Sequence, residues 1–346
     1  MEQKINIFGA ALDALSSQER VDLKLTYINH LRSESYNKEE FKDPYDFIKA
    51  NITRHIALNN KTKWTGKISI PSWLTPKPDA SDLPKLSVNK LNKFFKSNGY
   101  WKYALIVANY IDEEIYPNIP VMIGVDHSLT GGSIMALAKR YPNLNVIILD
   151  AHFDVMNKEY RVDETLLNYY QCGNFLDYLL ENEIIIPKNL WILGVQDEIY
   201  DELNRVNNSQ RNLDLNKLSV KKWTEKGVHV IFKKEVQSCN FKVDLNGPTY
   251  LSIDMDVGSM SSIYSARFMN SSGLNVNEFL QLLHKISEFI ESSNGPFVGL
   301  DIMEFDIHFL EITKMKDFND HTEQIIRNIF KIFVIKNNKS QNKYLL

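Results

Sequence analysis

Apolar residues return along this chain in two rhythms. Between Ser17 and Ser33, and again between Asp46 and Asn59, they recur every three or four residues, the spacing of one buried helix face. Asp43-Pro44 marks the start of the second helix, because a proline in the first turn gives up only an N–H that the helix leaves unpaired. Ahead of both, Ile5-Asn6-Ile7-Phe8-Gly9 reads as a short strand ending at glycine. Trp64 to Pro84, rich in proline, reads as an extended, irregular connection, and Trp64 and Trp73 would pack it against the main body. Ser87–Tyr110 reads as helix again.

From Pro120 the rhythm changes. Val121–Gly124, Val146–Leu149, Leu190–Gly194, Val228–Phe232, Tyr250–Ile253 and Phe297–Leu300 are short, wholly apolar runs, and helical patterns at Gly132–Arg140, Asn174–Asn182, Val276–Ser292 and Thr322–Ile335 separate most of them. Strands without a polar face, alternating with helices, predict a mainly parallel sheet covered on both sides. The expected class is α/β, a three-layer α-β-α arrangement. A strand and mainly helical extension over residues 1–115 packs on a core over 116–346, together one continuous domain. Lys336–Tyr344, rich in Asn and Lys, reads as a frayed tail.

Composition narrows the function classes. With 346 residues, 44% of them hydrophobic and 24% charged, the chain can bury a large core. A net charge of −3 gives no general attraction to nucleic acid or anionic membrane, and the short lysine pairs at Lys221-Lys222 and Lys233-Lys234 read as solvated faces. Cys172 and Cys239 are too few for a disulfide-stapled domain. No leader pattern opens the sequence and no apolar run approaches the roughly 18 residues of a membrane span, so a cytoplasmic location is expected.

The chemistry is concentrated where three apolar runs end. Val146–Leu149 runs into Asp150-Ala151-His152-Phe153-Asp154; Tyr250–Ile253 runs into Asp254-Met255-Asp256; Met122–Gly124 runs into Val125-Asp126-His127-Ser128. If the first strand continues, residues 150, 152 and 154 share a face. In open parallel sheets, sites form beyond the carboxyl ends of strands, so the three clusters can meet in one crevice. Four aspartates gathered there would repel one another unless cations neutralised them, and two divalent ions would balance the charge. A lone Asp-x-Asp is commonly a cap or a solvated loop and a lone histidine commonly structural; the three together point to metal. Oxygen-rich ligation with two imidazoles favours Mn²⁺ over zinc or copper and leaves nickel and iron open. The remaining histidines, His30, His55, His229, His284, His308 and His321, stand apart from carboxylate clusters and read as structural or surface residues. Neither a Walker pattern nor Gly-x-Gly-x-x-Gly is present, which disfavours nucleotide binding.

These three clusters resemble, in order, the metal-binding motifs of arginases and agmatinases, over roughly residues 116–335. The resemblance implies His127, Asp150, His152, Asp154, Asp254 and Asp256 as ligands of two Mn²⁺ ions, with Asp150 and Asp254 bridging them together with a hydroxide. Gly299-Leu300-Asp301-Ile302-Met303-Glu304 is similar to the late family strand whose glutamate holds the substrate guanidinium, which would make Glu304 the orienting carboxylate. Asp126 and Asp301 would be supports. The implied reaction is attack of the metal-activated hydroxide on a guanidinium carbon to yield urea and an amine, with Asp154 helping to move the proton.

Four departures alter the expected substrate. Cys172-Gly173-Asn174-Phe175-Leu176-Asp177 stands where the family has Ser-Gly-Asn-Leu-His-Gly, so Leu176 replaces a proton-shuttling histidine while Asn174 remains as a substrate contact. Gly194-Val195-Gln196-Asp197-Glu198-Ile199 resembles a family loop that contributes Asp197, but Ile199 stands where an acid grips the free amino group of arginine. The loop Val257–Gly273 lacks the family's proline, and the leading region to about Ile119 is longer and differently patterned. The expected partner is therefore a small guanidino compound or an arginine within a peptide, in a protein that self-associates as its relatives do. A formimino or other C–N substrate, or a metal-binding relative without catalysis, are the alternatives.

Overall fold

The computed structural model describes residues 3–15, 17–32, 41–156, 169–196, 213–268, 271–315 and 319–336. Eight strands make one sheet: β1 (Ile5–Ala10), β2 (Thr62–Lys67), β3 (Ile119–Gly124), β4 (Asn145–Leu149), β5 (Leu190–Val195), β6 (His229–Phe232), β7 (Thr249–Asp254) and β8 (Phe297–Met303). Their order is β2-β1-β3-β8-β7-β4-β5-β6, and every pairing is parallel. The chain lays β3 and β4 apart, builds outward to β6, and returns to insert β7 and β8 between them.

Side-chain alternation sends each strand into two cores. Val121 and Ile123 of β3, Ile147 and Leu149 of β4, and Leu251 and Ile253 of β7 enter one, beneath the helices Pro44–His55, Val276–Ser292 and Thr322–Ile329. Met122, Val146, Ile148 and Tyr250 enter the other, beneath Val88–Lys96, Gly99–Tyr110, Thr130–Ala138 and Phe175–Glu181. Strands buried on both faces explain the unbroken apolar runs. The helix Val276–Ser292 starts where the Asn275 side chain accepts from the amides of Asn277 and Glu278 while Glu278 reaches back, and Phe279, Leu282, Leu283, Ile286 and Ile290 form its buried stripe. Asp43 caps Pro44–His55 in the same way, accepting from Asp46 N.

Three elements differ from the sequence reading. Thr62–Lys67 is the outermost strand at one edge, within and just before the stretch read as irregular; its polar, half-buried sequence carries no apolar run to announce it. Ser87–Tyr110 is two helices, parted at Ser97–Asn98, where Asn98 takes a left-handed φ of 54°. Past Ile329 the last helix widens into a π-helical stretch, Phe330–Lys336. The tail expected to fray lies, beyond Lys336, outside the described residues. As expected, both tryptophans pack inward: Trp64 stacks on Phe330 and meets Tyr45 edge-on, and Trp73 meets Phe94 edge-on. Among the described residues no helix is long and apolar enough to cross a membrane.

Candidate metal centre

The inserted strands decide the site. Because β3, β8, β7 and β4 are consecutive in the sheet, their carboxyl ends deliver His127, Glu304, Asp254 and Asp150 side by side. The expected strand extension past Leu149 does not form. Residues 150–156 leave the sheet as a loop, and Asp154 adopts a left-handed φ of 47°. The three side chains still converge, through a turn rather than a pleat. His127 opens a short 3₁₀ turn, His127–Leu129, capped by the Asp126 carboxylate accepting from Ser128 N at 3.1 Å. Asp254 ends β7 and accepts from Asp256 N at 2.8 Å, which fixes the next turn. Glu304 also takes positive φ, 53°, immediately past β8. Two non-glycine residues held in a sparsely populated region at one site require surroundings that over-determine them.

Two carboxylate–imidazole groups result, and Asp150 belongs to both. His127 Nδ1 lies 3.2 Å from Asp150 Oδ2, 3.2 Å from Asp154 Oδ2 and 3.0 Å from Asp254 Oδ2. His152 Nδ1 lies 3.4 Å from Asp150 Oδ1 and 3.0 Å from Asp256 Oδ2. Ligating atoms of His127, Asp150 and Asp254 form one cluster, and those of Asp150, His152 and Asp256 a second. Asp150 divides its two oxygens between them. His127 and the aspartates 150, 254 and 256 are fully buried, whereas the His152 side chain is 44% exposed and marks the solvent mouth.

The electrostatics fit cations. Burial and the neighbouring Asp150 push the Asp154 carboxyl up to about 7, and burial, with Asp150 again, pushes Asp256 up to about 6 despite the His152 imidazole. Burial, then Asp256 and Asp150, drive Asp254 well above its usual range. Burial alone would keep His127 neutral, but Asp150, Asp154 and Asp254 outweigh it and drive that imidazole upward. Against its burial, the two imidazoles hold the Asp150 carboxyl down to about 2, while the other three acids of this buried space are shifted toward their protonated forms, the response of crowded carboxylates that cations would relieve. The buried His127 Nδ1 and Asp150 Oδ2 have no hydrogen-bond partner among the described residues and both face the cluster, as donors awaiting an ion do. The residues fit a pair of divalent ions.

Behind the ligands, His127 Nε2 meets Ser252 Oγ at 2.9 Å; Ser252 donates to Asp301 at 2.5 Å, and Thr130 and Tyr250 also donate to Asp301. This chain directs Nδ1 toward the cluster, the usual arrangement behind a ligating imidazole. Asp126 accepts from Ser128 and pairs with Arg267, and its carboxylate also lies with Cys172 and Glu304 in a third group of candidate ligating atoms. Asn174 accepts from Gln171 N and donates to Tyr169 O within its own loop. Asp197, with Glu198 and Ile199, lies outside the described residues. None of the other described histidine side chains joins the site; His308 pairs with Asp306 and His229 stacks on Trp191.

The reading of the sequence missed Arg267. It lies in the loop after the third cluster, wholly buried, with Nη1 2.7 Å from Asp126 Oδ2 and 3.3 and 3.4 Å from the two oxygens of Glu304, and Nη2 3.0 Å from Asp13 Oδ1. Asp13 in turn meets Arg20 and Lys24, and Arg20 meets Asp306. Nothing local in Tyr264-Ser265-Ala266-Arg267 distinguishes this arginine from a surface one.

An eight-stranded parallel α/β sheet with a paired carboxylate–imidazole site at the ends of its central strands defines the class as an α/β protein with candidate sites for two metal ions. A profile of the arginase family matches residues 60–315, so the chain belongs to the arginase family. It is 25% identical over 211 residues to a formimidoylglutamase of Bacillus subtilis, covering 61% of this chain and 59% of that one, and 27% identical over 187 residues to an arginase of Staphylococcus aureus, covering 49% and 61%. The chain thus spans about six-tenths of the length of the curated relatives it matches. Among solved structures, its fold is similar to proclavaminate amidino hydrolase from Streptomyces clavuligerus, with TM-score 0.57, 18% identity and 98% and 93% coverage, and to the arginase of Bacillus caldovelox, with TM-score 0.54, 17% identity and 94% and 97% coverage.

Proposed function

We propose that this protein hydrolyses a C–N bond of a linear amidine, cleaving a guanidino group to urea and an amine. The observation that carries this reading is Asp150 shared between His127 and His152, which prepares two adjacent cation sites at one buried point. His127, Asp150, Asp154 and Asp254 would hold one ion, and His152, Asp150, Asp254 and Asp256 the other. Two divalent ions supply Lewis acidity and lower the pKa of water to near neutrality. Asp154, at the less buried edge, takes the proton of the attacking water and returns it to the leaving amine. Glu304 is the carboxylate that orients the planar cation, with Asn174 and Asp197 as further substrate contacts. Ile199 removes an acid that would grip a free amino-acid head, which favours an arginine side chain within a peptide, converted to ornithine, or another guanidino compound lacking that head, while Leu176 removes the proton-shuttling histidine.

Manganese, a cytoplasmic location and homo-oligomerisation belong to the same reading; metal analysis, fractionation and sedimentation test them. The deciding experiment screens urea release from arginine, agmatine, guanidinobutyrate and arginine-containing peptides. Urea with peptides ahead of free arginine is the expected result. Turnover of free arginine far above every blocked or peptidyl form would sink the substrate assignment.

A formimino substrate is the second reading, favoured by Arg267 Nη1 already standing at Glu304. A formimino carbon carries hydrogen where a guanidino carbon carries a third nitrogen, and so asks less of that carboxylate. Formamide in place of urea would identify it.

A further inference from the structure

Arg267 brings the chain's own guanidinium to the carboxylate assigned to a substrate's guanidinium. Its burial is complete; it donates to Asp126 at 2.7 Å, and Nη2 forms an ion pair with Asp13 at 3.0 Å without a hydrogen bond. The contact with Glu304 is of another kind. One nitrogen faces both oxygens at 3.3 and 3.4 Å, instead of two nitrogens making the parallel bonds of a matched arginine–carboxylate pair. Arg267 Nε has no hydrogen-bond partner among the described residues. Glu304 Oε1 also accepts from His127 N at 2.8 Å, leaving Oε2 as the freer oxygen. Around this point Asp13, Asp126, Glu304 and Asp306 face Arg20, Lys24 and Arg267, so little uncompensated negative charge remains for an incoming cation.

We propose that Arg267 is a specificity-determining residue: held by Asp13 and Asp126, it competes from within for Glu304 and so screens out simple guanidinium compounds. A small cation gains little by reaching a carboxylate that is already paired, and it meets a like charge there. A larger substrate, anchored by contacts elsewhere, can bring its guanidinium to Oε2 against that competition, because the resident contact reaches Glu304 through one nitrogen over two long hydrogen bonds. The segment carrying Asp13 is then part of the specificity device, since it keeps Arg267 from withdrawing.

The inference rests on reading Glu304 as the guanidinium carboxylate. It is tested by binding, without turnover. Methylguanidinium is titrated calorimetrically into full-length protein loaded with Mn²⁺, as wild type, Arg267→Met, Arg267→Lys, Glu304→Gln and the Arg267→Met/Glu304→Gln double variant. Wild type should bind weakly, with Glu304→Gln changing little. Arg267→Met should bind at least about tenfold tighter, the double variant should lose that gain, and Arg267→Lys, which keeps the charge, should stay near wild type. Equal affinity of Arg267→Met and wild type, a gain in Arg267→Lys matching that of Arg267→Met, or a gain that survives Glu304→Gln would each overturn the proposal. Should Arg267→Met fail to fold alone, refolding is the readout: recovery with methylguanidinium but not tetramethylammonium supports the proposal, and recovery with neither overturns it. Failure here leaves the C–N hydrolase reading standing, and absence of urea release leaves this one standing.

Discussion

Asp150 is the residue on which both imidazoles depend, and its neighbours separate binding from chemistry. Asp154 is the least buried of the four clustered aspartates. Asp154→Asn keeps its shape but loses a proton acceptor and one charge; a fall in urea release of about 10²-fold or more is expected, measured at fixed metal content. Ser252 touches no ion yet holds His127 by its far nitrogen. Ser252→Ala should weaken metal binding by about 10–100-fold, read by competition with a chelator; unchanged affinity would show that His127 is oriented without it. Ligand types and their order were legible at this scale because Asp-x-His-x-Asp and Asp-x-Asp are local patterns. Arg267 was not, since its partners Asp126 and Asp13 lie more than a hundred residues away and Glu304 lies 37 residues on, and the pairs of Asp13 with Arg20 and Lys24 follow no local pattern.

Among the elements, a close fit beside the site lies between the end of β5 and the turn after β7. Gly194 has φ +100°, and a Cβ there would lie 2.4 Å from Val257 Cγ2, next to the ligand Asp256. Gly194→Ala therefore combines a strained backbone with a push on the ligand turn. A loss of about 1–3 kcal/mol in denaturant unfolding is expected, together with weaker metal binding, which a fault confined to β5 would not produce. Apolar strands and amphipathic helices were read correctly wherever burial on both faces, or along one stripe, imposed a clear period. Thr62–Lys67 escaped because a half-buried edge strand imposes none, and the break at Asn98 escaped because the apolar spacing continues across it.

For the whole molecule, charge links the leading segment to the site. Burial alone would raise the Asp13 carboxyl, but Arg20, Lys24 and Arg267 hold it far below its ordinary range; Arg20 and His308 do the same for buried Asp306. A carboxyl depressed in the folded state stabilises the fold above its unfolded value and loses that contribution as pH falls through its folded one. Stability should therefore decline below about pH 4, and Asp13→Asn, though less stable at neutral pH, should decline less steeply, as equilibrium unfolding against pH will show. Removing metal should act in the opposite corner of the molecule's charge balance. Chelation leaves the buried aspartates without counterions, so the thermal midpoint should fall and, on adding Mn²⁺, recover with the logarithm of its concentration above the dissociation constant; a midpoint indifferent to the ion would contradict the site.

The sequence by itself determined what each strand end carries, because ligand spacing, strand apolarity and helix stripes are set by neighbours within a few residues. Only the tertiary structure decided that β7 and β8 return between β3 and β4, bringing Asp254 and Glu304 between His127 and Asp150, and that an arginine from a serine-rich loop faces Glu304. Those are choices of crossover and of long-range charge pairing. The β3–β8 and β4–β7 pairings join residues more than a hundred positions apart, and Arg267 reaches Glu304 across 37, separations for which no local period exists.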